Sequence, residues 1–239
     1  MRSLFRGKVT NCDMRHYAVI VAGGSGSRMK SDRPKQFMEL LGRPILVHTV
    51  GAFLVALERP VVVLVLPESH LEEGRVLMST HFPDADIRFV VGGEQRFHSV
   101  QRGLAEVDGP GIVHVHDAVR CLVTPSLIRK CDSHARERGS AIPAVPVRDS
   151  MRMLGDEGAL PVDRGILRAI QTPQTFRSEW IKEAYAQPYQ PAFTDEATVA
   201  ECKGFSIELV EGEETNIKVT FPLDLVVAEK ILASRLSGT

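Results

Sequence analysis

Apolar residues fall in short continuous runs along the chain, separated by stretches in which they recur every three or four positions. Tyr17–Ala22 is such a run; it ends in a Gly/Ser cluster and predicts a buried strand followed by a loop. Pro60–Leu66 is rich in β-branched residues, as in a strand covered on both faces. Asp86–Val91 stops at Gly92-Gly93, Gly111–His116 runs into Asp117, and Ser140–Val147 completes the series. Helical spacing covers Pro44–Leu57, Glu68–Thr80 and Arg96–Val107. Pro44 takes the first-turn position that proline favours, and Thr124 is placed to cap a helix running to about Arg138. Strands alternating with helices at this interval predict an α/β fold with a mostly parallel sheet covered on both faces. Right-handed crossovers would make it a Rossmann-like three-layer sandwich.

The pattern breaks at residues 148–175, where Asp149, Gly155, Gly158, Pro161, Gly165 and Pro173 interrupt short apolar pairs. No long helix fits there, and the segment predicts an irregular β-arm projecting from the sheet. Beyond it come helices over Ser178–Ala186 and Asp195–Lys203, strands over Ser206–Val210 and Asn216–Thr220, and a closing helix over Pro222–Arg235. No repeat or linker divides the chain, so all 239 residues are expected to form one domain, with 1–13 a loose extension.

Composition narrows the function classes. Hydrophobic residues make up 44% and charged residues 25%, enough for a sizeable core. A net charge of −1 gives no general attraction to nucleic acid or acidic membrane, so anion binding must rest on a few placed cations and backbone N–H groups. No run approaches the length of a membrane span, and the basic N-terminal residues lack the apolar core of a secretory signal. Cys12, Cys121, Cys131 and Cys202 form no C-x-x-C pair and are expected to be reduced. These features point to the cytoplasm and to small-molecule partners.

Ligands of open α/β sheets bind beyond the carboxyl ends of the strands. The residues just past each strand are therefore the place to look. After the first strand come Ala22, Gly23, Gly24, Ser25, Gly26, Ser27 and Arg28, then Pro34-Lys35-Gln36. Glycines let backbone N–H groups approach phosphate oxygens, and the flanking Arg28 and Lys35 suit a polyphosphate. The loop is neither a P-loop nor a dinucleotide fingerprint, and a solvated turn with ordinary surface cations accounts for it equally well. Gly92, Gly93 and Glu94 come after a later strand, and Asp117 and Arg120 after another. A carboxylate at Asp117 can hold Mg²⁺ or simply cap a turn. His114 and His116 share a strand face beside Asp117, but no third ligand stands at zinc spacing, so core or surface histidines are the expectation. Asn216, Lys218 and Thr220 share a face that could equally be the exposed side of an edge strand.

Taken together and in order, these segments resemble the 2-C-methyl-D-erythritol 4-phosphate cytidylyltransferase family. The resemblance covers nearly the whole chain from Tyr17. It rests on Ala22–Met29 with Pro34-Lys35-Gln36-Phe37; Gly92-Gly93-Glu94-Gln95-Arg96 with Ser99-Val100; His116-Asp117-Ala118-Val119-Arg120; Pro146–Ser150; Val162-Asp163-Arg164; Gln171–Gln174; Thr194–Ala197; and Glu211-Gly212 with Asn216–Thr220. It implies transfer of CMP from CTP to methylerythritol phosphate, with Mg²⁺ or another divalent cation. It implies that the Gly23–Ser27 backbone cradles the triphosphate while Arg28, Lys35 and Lys218 stabilise the α-phosphate. Ala22, Gly23, Gly92, Gly93, Glu94 and Ser99 would line the nucleoside pocket. Asp117 would hold the metal and orient the polyol phosphate, with Arg120, Ser150, Thr172 and Thr194 as further acceptor contacts. Arg164, on the arm, would reach the partner subunit's site, which implies a homodimer. The sequence departs from the commoner pattern at Val21-Ala22-Gly23-Gly24, at Cys121 in place of a proline, and at Ser150 in place of a threonine. Two alternatives stand beside this assignment: a ribitol 5-phosphate cytidylyltransferase, and a nucleotide-binding protein without catalysis.

Overall fold

A computed structural model of the chain describes residues 14–23, 33–155 and 158–238. The expectation for residues 1–13, and those for Gly24 through Arg28, lie outside the described residues.

The parallel part of the sheet is built from β1 (Arg15–Val21), β4 (Val61–Leu66), β5 (Ile87–Val91) and β6 (Gly111–Asp117). All six residues of β4 are buried because both of its faces are covered. Val62, Leu64 and Leu66 pack into one core with Ala18, Leu46 and Phe53, on the side of α1 (Ile45–Ala56), α2 (Leu71–His81) and α4 (Pro125–Arg138). Val61, Val63 and Val65 pack into another with Tyr17, Val19 and Val100, on the side of α3 (Arg96–Ala105), α5 (Ser178–Ala184) and α6 (Glu196–Cys202). The period-two pleat divides a continuous apolar run between two cores, and the result is the expected three-layer sandwich. A third cluster holds α7 (Pro222–Ser237) through Ala228 against Leu40, Leu122 and Val219, beside the hairpin of β2 (Glu39–Leu40) and β3 (Arg43–Pro44). Among the described residues, no helix is long and apolar enough to cross a membrane.

The arm region differs from expectation. A hairpin of β8 (Met151–Gly155) and β9 (Gly158–Val162) does stand apart from the main sheet. The chain then rejoins that sheet as β10 (Arg168–Ile170) and β11 (Gln174–Arg177). Both run antiparallel to β7 (Ser140–Pro146), and β11 also pairs with β6. The full order is β10-β7-β11-β6-β1-β4-β5, with β12 (Leu209–Glu211) also on β7. The register along β7 slips by two residues between β10 and β11, so Gln171-Thr172-Pro173 bulge out of one interrupted strand beside the end of β6. Pro173 masked this strand in the sequence, because proline inside an apolar run argues against one.

Asn216–Thr220, expected as a strand, joins no sheet among the described residues. It is extended chain fixed by single bonds: Val219 N–H donates to Val119 O at 2.9 Å, and Asn216 Nδ2 donates to Thr172 O at 2.9 Å. Asn216 and Val219 are buried while Lys218 between them is half exposed, so Asn216 and Lys218 do not share a face as the strand reading expected. Pro44 is the residue before α1 rather than its first, whereas Thr124 caps α4 as expected, its Oγ1 accepting from Leu127 N at 3.1 Å.

Candidate functional site

The ends of β1, β5 and β6 open on a cavity of about 210 Å³. Its lining includes Ala22, Gly23, Lys35, Gln36, Gly93, Glu94, Arg96, Ser99, Asp117 and Lys218. Eight of these are sequence-predicted site residues; Gln36 and Arg96 are not. Carboxyl-end loops converge because parallel strands all finish on one edge of the sheet.

Each wall has a local cause. Gly92 N–H continues the β5 ladder to Leu66 O at 2.8 Å, and Gly93 N–H donates to Ser99 Oγ at 3.0 Å on the first turn of α3. A Cβ on Gly93 would lie 2.4 Å from His98 Cβ, so only glycine lets the turn press against that helix. Opposite, Lys35-Gln36-Phe37 form one tight helical turn. Phe37 is buried in the core, Gln36 Nε2 donates to Ala22 O at 3.1 Å, and Lys35 Nζ donates to Val219 O at 3.3 Å beside the cavity. The Pro-Lys-Gln segment thus braces the base of the glycine loop as well as placing a cation.

Asp117 is the centre of charge. Its Oδ2 lies 2.8 Å from Lys218 Nζ and 3.7 Å from Arg120 Nε; its Oδ1 lies 3.3 Å from Arg96 Nε. Burial alone would raise its pKa, but Arg96, Lys218 and Arg120 outweigh burial and hold the carboxyl well below the usual range. It is ionised at any working pH. Behind it, Asp117 N–H donates to Thr172 Oγ1 at 3.1 Å. His116 Nε2 faces Arg120 O at 3.2 Å, and a carbonyl only accepts, so Nε2 carries the proton. Nδ1 is then an acceptor, and Thr172 Oγ1 donates to it at 2.9 Å. Burial pushes the His116 pKa down to about 3, keeping the ring neutral in this relay.

Arg120 is tied inward, its terminal nitrogens donating to Asn216 O at 2.9 Å and Ile170 O at 3.5 Å. Its Nε is buried without a hydrogen-bond partner. Cys121, which stands in place of a proline at this turn, is buried, and burial pushes its thiol up to about 12. The turn is closed by Arg120 N–H on Asp117 O at 3.0 Å. Ser150, Arg164 and Thr194 are exposed and do not line the cavity; the Arg164 guanidinium donates to Arg148 O.

His114 and His116 do not act as a pair. Both rings pack edge-on against Phe53, but His114 turns to Thr175 Oγ1 at 3.0 Å and Asp132 Oδ1 at 3.2 Å. With His16 they form a group that could hold a metal ion, the ligand atoms of His16, His114 and Asp132 lying within 4.8 Å of one another. None of the three lines the cavity, and Arg136 Nε already occupies the other Asp132 oxygen at 2.7 Å.

Arg96 and Glu196 were missed as site residues. Glu196 is fully buried, and both of its oxygens accept from the terminal nitrogens of Arg96. A glutamate opening a helix is also accounted for by the helix dipole, which hides its pairing with Arg96 in the sequence. A buried glutamate requires a partner, but its burial is visible only in the fold, and the sequence carries no signal of it.

Comparison with known proteins gives a consistent result. The family pattern for 2-C-methyl-D-erythritol 4-phosphate cytidylyltransferase, IspD, matches residues 16–234. The protein of that name from Bacteroides thetaiotaomicron is 42% identical over 219 residues, which span 92% of this chain and 100% of that protein. Among solved structures, the cytidylyltransferase from Thermus thermophilus has 31% identity and a TM-score of 0.72, covering 92% of this chain and 100% of that one. The 4-diphosphocytidyl-2C-methyl-D-erythritol synthase from Anaerococcus prevotii has 26% identity and a TM-score of 0.78, covering 92% and 96%.

Proposed function

The chain belongs to the 2-C-methyl-D-erythritol 4-phosphate cytidylyltransferase family, and from that premise we propose how its cavity carries out the reaction. The chain is a cytidylyltransferase of non-mevalonate isoprenoid synthesis: CTP and 2-C-methyl-D-erythritol 4-phosphate give CDP-methylerythritol and pyrophosphate. The observation that carries the assignment of roles is the convergence of Lys35, Lys218 and the ionised Asp117 on one cavity beside the Gly92–Ser99 turn.

The acceptor's phosphate oxygen attacks the α-phosphorus in line, and pyrophosphate leaves from the opposite side. The attacking group is already anionic, so the protein need not supply a strong base. It must hold two anions together and neutralise the charge gathering between them. Lys35 and Lys218 are the catalytic cations. Gly93, Glu94 and Ser99, with Ala22 and Gly23, form the nucleoside pocket, where fixed donors and acceptors reject bases that leave them unpaired. By resemblance, Gly24–Ser27 complete the triphosphate cradle and Arg28 joins the two lysines at the α-phosphate.

Asp117 is an ionised oxygen donor at the cavity wall, of the kind that hard divalent cations share with substrate phosphates, but Arg96 holds its Oδ1, so it offers a cation Oδ2 only when Lys218 moves away. A divalent cation such as Mg²⁺ held there would neutralise phosphate charge. Lys218, at 41% side-chain exposure, is free to leave Asp117 for the α-phosphate. Arg120, whose Nε makes no hydrogen bond, and Thr172 shape the acceptor side together with Ser150 and Thr194.

The arm's role rests on its surface. Met151, Met153, Leu154, Leu160 and Ile166 are exposed on it, a concentration of apolar residues that suits burial against a second copy. In such a homodimer Arg164 enters the partner's acceptor site.

The deciding experiment measures pyrophosphate release from CTP with methylerythritol phosphate and, separately, with ribitol 5-phosphate, with and without EDTA. Turnover of the first alone, abolished by EDTA, is expected. Turnover of ribitol 5-phosphate alone would reassign the acceptor.

A further inference from the structure

Arg96 stands between two carboxylates. Its terminal nitrogens grip Glu196, with one bond at 3.0 Å, and its Nε reaches Asp117 Oδ1 at 3.3 Å. Glu196 Oε1 also accepts from Tyr185 Oη at 3.1 Å. The Tyr185 ring stacks on Phe97 at 4.7 Å between centroids, and Phe97 stacks in turn on Phe193. Around Glu196 nothing is loose: the carboxylate has no exposure, and Ala197 N–H beside it is taken by Gln174 Oε1 at 2.8 Å.

Stability does not explain such a pair. A buried ion pair recovers little more than the desolvation of its charges, and apolar side chains of similar volume would serve as well or better. What the pair does is geometric. Arg96 opens α3, directly after the nucleoside turn, and Glu196 opens α6, directly after Thr194-Asp195. Their contact locks the two loops together, and the remaining nitrogen of Arg96 fixes one oxygen of Asp117. The other oxygen is left facing Lys218.

We propose that Glu196 and Tyr185 are positioning residues for nucleotidyl transfer: through Arg96 they hold Asp117 Oδ1, so that Oδ2 is presented to Lys218 and to the cavity. The proposal rests on Asp117 and Lys218 belonging to the reacting site. Replacing Glu196 by glutamine keeps its shape and removes its charge. Among the described residues Arg96 is then left with Asp117 as its carboxylate partner, is drawn onto it, and competes with Lys218.

The test uses the full-length protein and the variants Tyr185→Phe, Glu196→Gln, Asp117→Asn and the double variant Glu196→Gln/Asp117→Asn. Wild-type turnover of CTP with methylerythritol phosphate is measured first; if it fails, the functional assignment fails, independently of the positioning role. A displacement near 1 Å at a reacting centre can cost about 100-fold, so Glu196→Gln is expected to lower kcat by roughly 10- to 100-fold. Tyr185→Phe, which removes one hydroxyl from a stacked ring and leaves both Arg96 bonds to Glu196 in place, is expected to lower it about threefold to tenfold. CTP affinity, measured by calorimetry without acceptor, should stay within about threefold, since neither Glu196 nor Tyr185 lines the cavity. In the Asp117→Asn background, adding Glu196→Gln should produce little further loss, because both act through one group. The same fold-loss in both backgrounds, or a parallel fall in kcat and CTP affinity, would mark the pair as scaffold only. Should Glu196→Gln fail to fold, Tyr185→Phe and Tyr185→Phe/Asp117→Asn carry the same comparison.

Discussion

Lys218→Ala should separate catalysis from stability. In the resting protein the ammonium sits 2.8 Å from Asp117 Oδ2, but its side chain is 41% exposed. Half-open ion pairs of this kind contribute about 0–1 kcal/mol. Asp117 is not stranded by the change, because Arg96 remains 3.3 Å from one oxygen and Arg120 3.7 Å from the other. A loss of about 1 kcal/mol in a domain of this size lowers the melting temperature by about 2–4 °C. At the α-phosphorus the same cation faces charge that builds only as the bond to the acceptor forms. One preorganised group of that kind supplies about 2.7–4 kcal/mol, or roughly 100- to 1000-fold in kcat. CTP itself is held by several groups, so its dissociation constant should move by less than about fivefold.

Three measurements on one preparation decide the matter: steady-state pyrophosphate release, calorimetric titration with CTP, and a thermal melt. If kcat fell less than about tenfold, or if CTP affinity fell in step with kcat, Lys218 would be a ground-state contact and its transition-state role would be refuted. A melting temperature lowered by more than about 8 °C would instead show that the pair with Asp117 is structural.

Gly93→Ala should weaken CTP binding, because the new Cβ would lie 2.4 Å from His98 Cβ and must push the turn off α3; overpacking of this kind costs about 1–3 kcal/mol, and an unchanged KM for CTP would contradict the assigned nucleoside wall. His116 titrates at about 3 in the folded protein against about 6.5 unfolded, so its contribution to stability is complete above about pH 6.5 and is lost as pH falls towards 3. Chemical denaturation of His116→Gln between pH 6.5 and 4 should accordingly show a slope shallower than wild type by up to about 1.4 kcal/mol per pH unit, and parallel slopes would exclude His116 as a source of acid lability. Mixing inactive Lys218→Ala with inactive Arg164→Ala should restore about a quarter of wild-type sites if Arg164 acts on the partner's site; no recovery after verified subunit exchange would place Arg164 in its own subunit's site or in none.

The parallel half of the fold was legible because its signals are local. Val61–Leu66 announces a doubly covered strand by composition alone, and Thr124 announces a cap by its position ahead of Pro125. The antiparallel half was not. β11 carries Gln174, Thr175 and Arg177 around one apolar Phe176, yet Gln174, Thr175 and Phe176 are buried. Their polar side chains are satisfied by distant partners: Gln174 by Asp195 and Ala197, and Thr175 by His114. A burial pattern sustained by tertiary hydrogen bonds leaves no hydrophobic period to read.

The same distinction governs the site. Lys35, Asp117 and Lys218 were legible as charges at or near chain segments that meet one sheet edge, and the fold does bring them to one cavity. Arg96 and Glu196 were not, since each has a sufficient local explanation as a residue opening a helix. Their separation of 100 residues hides the fact that they meet. Yet a fully buried glutamate is tolerable only with a matched cation, and a cation matched to it cannot also move freely onto a phosphate. That fixes a division of labour among the cavity's cations. Arg96 is committed to carboxylates on both sides, whereas Lys218 is paired on one side only and half exposed. Only a cation of the second kind can trade its resting partner for a substrate phosphate at low cost, which is why catalysis is assigned to Lys218 and alignment to Arg96.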